Sequence, residues 1–300
     1  MAISQVRAQV NGQWYTLTLQ ANGRYEASIT APGATSFNQP GGYYNVTVEA
    51  TNTAGTSGTA DASTLDGLKL YVKERVAPVI TILSPSSGAY VTNNKQPVVF
   101  TVTDESGGSG VKLGSVVVKL DGSPVSAGEV THSAISNGYS FTYTPAQALG
   151  DGNHTVTVDA TDNDGNAAAQ KSTTFRVDTI PPTLNVASPT EGMITSARSL
   201  TVSGTTNDAT SSPVTVKISL NGTDQGAVTV GGDGAFSKAV TLKEGANVIV
   251  VTATDASGKS SSVTRNVTLD TSVPQIVSAT ITPNPVDAGQ TMLISVEVSG

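Results

Sequence analysis

Apolar and polar residues alternate along most of the chain, in stretches of about four to eight residues separated by clusters of Gly, Asn, Asp and Pro. Such alternation is typical of strands that bury one face, and no segment shows sustained helical periodicity. In the two most regular stretches the pattern predicts strands at residues 79–83, 98–103, 116–120, 129–133, 139–144, 154–160 and 172–177, and at residues 183–187, 200–204, 214–220, 226–230, 235–242, 247–254 and 262–269.

Boundary signals repeat in step with these strands. An acidic residue stands four positions before a proline three times, at Glu74, Asp178 and Asp270. After the first two boundaries the motif Ser-Pro-x-x-Gly follows at the same offset, at residues 84–88 and 188–192. Dipeptides that supply the positive φ angles of tight hairpins also recur, at Asn11-Gly12, Asp121-Gly122 and Asn221-Gly222.

The repeats divide the chain into four parts. Residues 78–181 and 182–273 each hold about seven short strands per hundred residues, which predicts an all-β protein made of tandem immunoglobulin-like β-sandwiches in an elongated array. Residues 1–77 form an incomplete domain that enters the pattern at its third strand, because the Asn11-Gly12 turn matches those of the complete repeats. The predicted strands of this part are 3–10, 14–19, 24–30, 43–50 and 68–72.

Residues 274–300 hold two predicted strands, 276–281 and 292–298, which match the opening strands that the first part lacks. A two-stranded segment does not fold alone, and an open sheet edge tends to pair with another chain. We therefore expect the last part of one chain to complete the first domain of the next, head to tail, by strand complementation. The alternatives are docking on a different protein, a cut end and a misjudged register. The expected donor residues are Ile276, Val277, Ile281, Met292, Ile294, Val296 and Val298.

Composition excludes several classes of function. The chain has no cysteine, so disulfides and thiol chemistry are ruled out. A net charge of -7 argues against nucleic acid as a partner, since phosphate binding needs clustered Lys and Arg. The apolar runs are strand-sized, so no membrane insertion is expected. Residues 1–7 lack the basic start and apolar run of a secretory signal, which suggests either a removed signal or release by another route.

Acidic residues near the turns are the candidate metal ligands. Asp162 and Asp164 lie in one turn, and Asp178 and Asp270 lie at boundaries, where hard oxygen ligands would suit calcium. The favoured alternative is that these side chains only support turns and junctions, because the equivalent turns share little beyond Asn or Asp followed three residues later by Gly. No other cofactor is expected.

Aromatic residues are concentrated in the first part of the chain. Trp14, Tyr15, Tyr43 and Tyr44 are candidates for a binding face for sugar rings or a partner, although packing in a core is the favoured interpretation. The two histidines, His132 and His154, lie on predicted strands without a patterned nucleophile. We therefore predict that the protein is not an enzyme.

The segments at residues 156–166 and 177–182 resemble bacterial Ig-like repeats. The resemblance covers the second and third parts well and the first in part. It implies modules of the kind found in surface adhesins, in accessory domains of polysaccharide-degrading enzymes and in virion proteins of tailed phages. The leading expectation is a structural appendage of a phage virion, in contact with itself and with other virion proteins or host-surface glycans. The alternatives are a secreted adhesin stalk at the extracellular surface and a carbohydrate-binding accessory module.

Overall fold

A computed structural model describes residues 2–300, and all of its regular structure is β apart from short 3₁₀ turns. The prediction of an all-β protein is therefore confirmed. The turns are Pro40–Gly42, Asp66–Leu68, Leu113–Ser115 and Ala127–Glu129. The chain divides into two compact units, Met1–Val177 and Asp178–Gly300, which are described separately.

The first module is built on one five-stranded sheet. Its strands are β1 (Ile3–Val10), β2 (Gln13–Leu19), β3 (Tyr25–Glu26), β4 (Tyr44–Asn45), β5 (Thr47–Asn52), β6 (Ser57–Ala60) and β7 (Lys69–Leu70). The sheet has the order β3-β2-β1-β5-β6, and β4 pairs separately with β7. The β1–β2 hairpin turns at Asn11 and Gly12, both with positive φ, as the sequence predicts.

Two predicted strands of the first module are mostly wrong. Of residues 24–30 only β3 forms, and of residues 68–72 only β7 forms, whereas β6 was not predicted. Residues 24–30 follow the β1–β2 hairpin. They correspond to the strand Gly138–Tyr143 of the second module, which pairs with neighbours on both sides. In the part of the chain that the structure describes, residues 27–30 have no neighbouring strand. A strand-like pattern forms a strand only where a partner completes its hydrogen bonds.

The second module is a sandwich of two sheets. Its strands are β8 (Val79–Ser84), β9 (Tyr90–Val91), β10 (Val98–Thr103), β11 (Val117–Leu120), β12 (Ser123–Pro124), β13 (Val130–Ile135), β14 (Gly138–Tyr143), β15 (Gly152–Asp159) and β16 (Lys171–Val177). The sheet orders are β13-β14-β10-β8 and β12-β11-β15-β16-β9. Alternate residues of β10 and β15 are fully buried between the sheets, and Phe100 stacks on Phe141 with ring centroids 5.0 Å apart.

The third module repeats this sandwich. Its strands are β17 (Thr183–Ser188), β18 (Met193–Thr195), β19 (Ser199–Asn207), β20 (Thr215–Leu220), β21 (Thr223–Asp224), β22 (Ala235–Thr241), β23 (Gly245–Thr254) and β24 (Ser260–Leu269). The sheet orders are β17-β19-β22 and β18-β24-β23-β20-β21. The predicted strand at residues 226–230 is wrong. The strand ends at β21, where Asp224 accepts a hydrogen bond from the Gly226 amide and Gly226 adopts a positive φ of 78°.

The chain ends in the C-terminal hairpin, formed by β25 (Gln275–Thr282) and β26 (Leu293–Ser299). The two strands pair only with each other, and every residue of both is exposed. In the equivalent positions of the complete modules, β8 with β10 and β17 with β19, the paired strands form the first layer of a sandwich. The two strands of the hairpin therefore pair like the first two strands of a sandwich, but within residues 2–300 no second sheet packs against them.

Candidate functional site

The C-terminal hairpin presents one apolar face. Across the two strands Ile281 pairs with Ile294, Ala279 with Val296 and Ile276 with Val298, so these six side chains share a face. The expected donor residues all lie at or beside this face, with Val277 at the bulge next to Ile276 and Met292 just before β26. Their exposed fractions run from 44% for Ile281 to 70% for Ile276. A hairpin that leaves this much apolar surface in water is poorly stable without a partner.

The corresponding face of the second module shows what such a pair normally contacts. Ile80 pairs with Val102 and Ile82 lies opposite Phe100, and Ile80, Phe100 and Val102 are at most 2% exposed. The outer edge of β10 is bonded to β14. In the C-terminal hairpin the outer edge of β26 has no such neighbour in the described chain.

The first module buries fewer apolar side chains than the other two. On one face of its sheet Val6, Ala8 and Val10 are buried, together with Tyr44 and Ala62, and no second sheet of more than two strands covers them in residues 2–300. The second and third modules each build a far larger buried cluster. The segment at residues 27–30, which corresponds to β14, has no strand beside it.

The four candidate aromatic residues do not converge on one face. Trp14 is 38% exposed, and the guanidinium of Arg7 lies 4.3 Å from its ring. Tyr15 is half-buried on β2. Tyr43 packs edge-on to Tyr71 with ring centroids 6.2 Å apart.

The remaining candidate, Tyr44, is buried, and its hydroxyl donates to the Ala34 carbonyl at 3.2 Å. Arg7 thus lies over the Trp14 ring, Tyr71 packs against Tyr43, and Tyr44 is buried inside the module. Core and local packing account for most of this aromatic surface.

The structure separates the candidate metal ligands. Asp162 is fully buried, and its carboxylate accepts hydrogen bonds from the backbone of Gly165 and Asn166 and from the Asn166 amide. Asp164 accepts from Thr35 and from the Glu74 backbone. Asp270 is exposed and accepts from Ser272.

Asp178 belongs to a group of three acids that we name the third-module carboxylate cluster, Asp178, Asp208 and Asp255. One carboxylate oxygen from each lies within 4.8 Å of the others, and the three side chains are 0%, 7% and 6% exposed. Asp208 directly follows β19 and Asp255 directly follows β23, so the ends of two strands and the boundary segment meet here. No lysine, arginine or histidine of the described residues forms an ion pair with the cluster.

Hydrogen bonds satisfy only part of this cluster. Asp178 Oδ1 accepts from the Thr210 hydroxyl at 3.0 Å and from the Ile180 amide at 3.3 Å, but Asp178 Oδ2 is buried without a partner. Asp255 Oδ1 accepts from Ser257 and from the Lys259 amide, and its Oδ2 is likewise buried and unpartnered.

Burial raises the pKa of the Asp178 carboxyl, but the nearby polar groups of Ser257, Ile180, Thr210 and Ser211 outweigh burial and hold that pKa below its usual value. The Asp178 carboxyl is therefore charged at neutral pH, in a fully buried position.

A similar group, the second-module carboxylate cluster, consists of Glu74, Asp104 and Glu105. Their carboxylates also lie within 4.8 Å of one another, and each has a buried oxygen without a partner. The neighbouring carboxylate of Glu74, then burial and Asp104, raise the pKa of Glu105 to about 7. Glu74 and Asp178 hold the same boundary position, and Asp104 follows β10 as Asp208 follows β19.

The sequence analysis did not identify Asp208, Asp255, Asp104 or Glu105 as candidate ligands. One signal in the sequence points to Asp104 and Asp208. Asp104 comes thirty residues after Glu74, and Asp208 comes thirty residues after Asp178. An acidic residue at the same offset from two matching boundaries indicates a common place in the fold.

The histidines show no arrangement for catalysis. His154 Nδ1 lies 2.8 Å from the Asp121 carboxylate and Nε2 lies 2.9 Å from the Gly150 carbonyl, so neither ring nitrogen is free to act on a substrate. His132 packs against the rings of Tyr139 and Phe141. Among residues 2–300 there is no helix long and apolar enough to span a bilayer.

Comparison with known families identifies the modules. Residues 84–179 match the family model described as a bacterial Ig-like domain, and residues 182–271 match the model for domain B of glucodextranase. The second module is therefore similar to bacterial Ig-like domains, which confirms the resemblance inferred from sequence. The chain as a whole is built of immunoglobulin-like modules in tandem, as predicted. No curated protein sequence matches the chain.

Solved structures to which the chain is similar include three from bacteria. The fibronectin(III)-like modules of Clostridium thermocellum CbhA are 18% identical over 64% of this chain and 94% of their own, with a TM-score of 0.39. A solved chain from a 1.5-MDa bacterial ice-binding adhesin is 21% identical over 90% of this chain and 88% of that solved chain, with a TM-score of 0.32. The Bacteroides ovatus glucan-utilisation protein SGBP-B is 13% identical over 92% of this chain and 62% of its own, with a TM-score of 0.24.

Proposed function

We propose that this protein is a non-catalytic structural component of an extracellular surface, in which the C-terminal hairpin of one copy completes the first module of the next. Two of its modules match families of bacterial Ig-like and accessory domains, which mostly act as spacers or binders. Placement on a phage virion, and contacts with other virion proteins or host-surface glycans, stay predictions of the sequence.

One observation carries the proposal: the apolar face of the C-terminal hairpin is exposed. Ile276, Ile294, Val296 and Val298 are between 50% and 70% exposed, although they repeat the pattern of a buried opening layer. Covering such a face removes apolar surface from water, which is the main favourable term in association.

The occupant we assign to this face is a second copy of the chain. The hairpin supplies the two strands that the first module lacks, and the first module supplies the remainder of a sandwich. In the second and third modules the second strand of the opening pair bonds to the strand that corresponds to residues 24–30 of the first module, namely β14 or β22. The free edge of β26 and the unpaired residues 27–30 therefore fit one another. Contacts of this kind run head to tail and give a filament or a ring.

Sedimentation and light scattering over a concentration series test the joining. The parent chain is expected to form oligomers that grow with concentration, and Val296→Asp, which puts a charge on the apolar face, is expected to remain a monomer. Ser295→Asp is the matched control, because Ser295 pairs with Thr280 on the opposite face of the same strand. A parent chain that stays monomeric throughout, or a Ser295→Asp chain that fails equally, would contradict strand complementation between copies.

The absence of cysteine allows a direct test of the contact. Ser28→Cys in one preparation and Ser299→Cys in another introduce single labelling positions, at the unpaired segment and at the end of β26. Energy transfer between a donor on one and an acceptor on the other is expected on mixing. The signal should vanish when the second preparation also carries Val296→Asp.

A further inference from the structure

We propose that the third-module carboxylate cluster, Asp178, Asp208 and Asp255, is a binding site for a divalent cation of the Ca²⁺ class. The site lies within one unit, at the start of the third module, where the boundary segment meets the ends of β19 and β23. It is independent of the joining of chains proposed above.

Charge and burial make the first argument. Three carboxylates that are at least 93% buried lie within 4.8 Å of one another, and no basic side chain of residues 2–300 pairs with them. A buried carboxylate is stable only when it is paired, protonated or bound to a metal. A bound cation is therefore the partner that this geometry calls for.

The unpartnered oxygens make the second argument. Asp178 Oδ2 and Asp255 Oδ2 are both buried, and neither accepts a hydrogen bond. The opposite oxygen of each is well supplied with donors, so the two side chains are held in place while one oxygen is left over. Buried acceptors without partners are rare in folded proteins and point to an ion or a water.

The donor set selects the kind of cation. The cluster offers carboxylate oxygens, with the hydroxyls of Thr210 and Ser257 close by, and no nitrogen or sulfur ligand. Hard oxygen ligands suit Ca²⁺ and Mg²⁺ and disfavour zinc and copper. Mg²⁺ keeps most of its water, whereas Ca²⁺ is readily held by several carboxylates at once, so Ca²⁺ is the better match.

The same grouping recurs in the second module. Glu74 and Asp104 stand where Asp178 and Asp208 stand in the third, and each again has a buried oxygen without a partner. The third acid differs, because Asp162, in the turn after β15 that matches the turn at Asp255 after β23, is fully hydrogen-bonded within its own turn. Two modules thus keep the two-acid core of the arrangement, which a chance clustering of acids would not produce at matching positions.

The test uses the full chain freed of metal with a chelator and titrated with CaCl₂. Backbone NMR shifts are expected at residues 178–180, 208–211 and 255–259, since the amides of Ile180, Thr210 and Lys259 donate to the cluster. Asp255→Asn is expected to weaken binding at these residues by at least about tenfold, because affinity follows the number of charged ligands. Asp270→Asn is the control, because Asp270 has the same boundary position but is exposed and outside the cluster.

Thermal unfolding separates a cation site from a purely structural cluster. If the site holds Ca²⁺, Asp255→Asn raises the melting temperature of the third module in chelator, by relieving repulsion, and lowers it relative to the parent in Ca²⁺. No shifts at those residues in millimolar CaCl₂ would overturn the proposal. So would an Asp255→Asn chain whose change in melting temperature is the same with and without the ion.

Discussion

Thr35 donates a hydrogen bond from Oγ1 to Oδ2 of Asp164 at 2.6 Å, although 129 residues separate them. The same oxygen accepts from the Glu74 amide at 3.0 Å. Thr35 belongs to the first module and Asp164 to a turn of the second, so a single half-buried carboxylate ties the boundary segment and both modules together. This explains why the turn carries an acidic residue that the equivalent turns lack.

Asp164→Ala should destabilise the link between the first and second modules by roughly 1–3 kcal/mol, because the variant leaves two donors unpaired. In a denaturant titration, the first module is expected to unfold at a lower denaturant concentration, which is monitored by the near-UV absorbance of its tryptophan. Asp287→Ala is the control, since it removes the same charge from a residue in the exposed loop of the C-terminal hairpin. Equal stability of the parent and the Asp164→Ala chain would show that the contact contributes nothing.

The core of the second module depends on the Phe100–Phe141 stack. Phe100 is 0% exposed and its ring lies nearly parallel to that of Phe141, with 7° between the planes. Phe100→Ala is expected to lower the free energy of unfolding of this module by about 3–5 kcal/mol, through lost burial and the cavity left behind. Phe37→Ala, at a position 49% exposed, should change it by no more than about 0.5 kcal/mol. Calorimetry of both variants measures this change in the free energy of unfolding.

The sequence predicts the fold class and the repeats because alternation and hairpin dipeptides are local signals. Asn11, Asp121 and Asn221 all take the positive φ that their turns require. The errors are non-local. Residues 27–30 continue the strand pattern of β3, but in the described part of the chain no neighbouring strand pairs with them.

The carboxylate clusters were harder to predict, because their members are distant in sequence. Asp208 and Asp255 are 47 residues apart and meet only where β19 and β23 end at the same edge of the third module. The boundary acid Asp178 could be singled out from its position before a proline. The residues that join it depend on the packing of two sheets, which the pattern of a single strand does not specify.

Gly204 is fixed by a close approach of two strands. A Cβ added there would lie 2.1 Å from the Asn185 carbonyl oxygen and 2.8 Å from the Phe236 ring. Gly204→Ala is expected to destabilise the third module by about 1–3 kcal/mol, because β17 or the ring must move. Gly128→Ala, where no atom lies within 4 Å, is the control. An unchanged melting temperature for Gly204→Ala would mean that the two strands are farther apart than described.

The His154–Asp121 pair predicts how the stability of the second module depends on pH. Burial lowers the pKa of His154, but hydrogen bonds to the Gly150 carbonyl and to Asp121 outweigh burial, and the pKa lies above its usual value. Both partners only accept, so both ring nitrogens carry protons in the favoured form. A raised pKa in the folded state means that the folded chain binds the proton more tightly.

The stabilisation is therefore fully present below the unfolded-state pKa of about 6.5 and is lost as pH rises through the higher folded-state pKa. Melting temperatures measured from mildly acidic to mildly basic pH should fall for the parent across this window. His154→Gln should remove that part of the slope, and Asp121→Asn should reduce it. A parent chain whose second module becomes more stable on crossing the window towards basic pH would contradict the assigned direction, and NMR titration of the His154 ring gives the folded-state value directly.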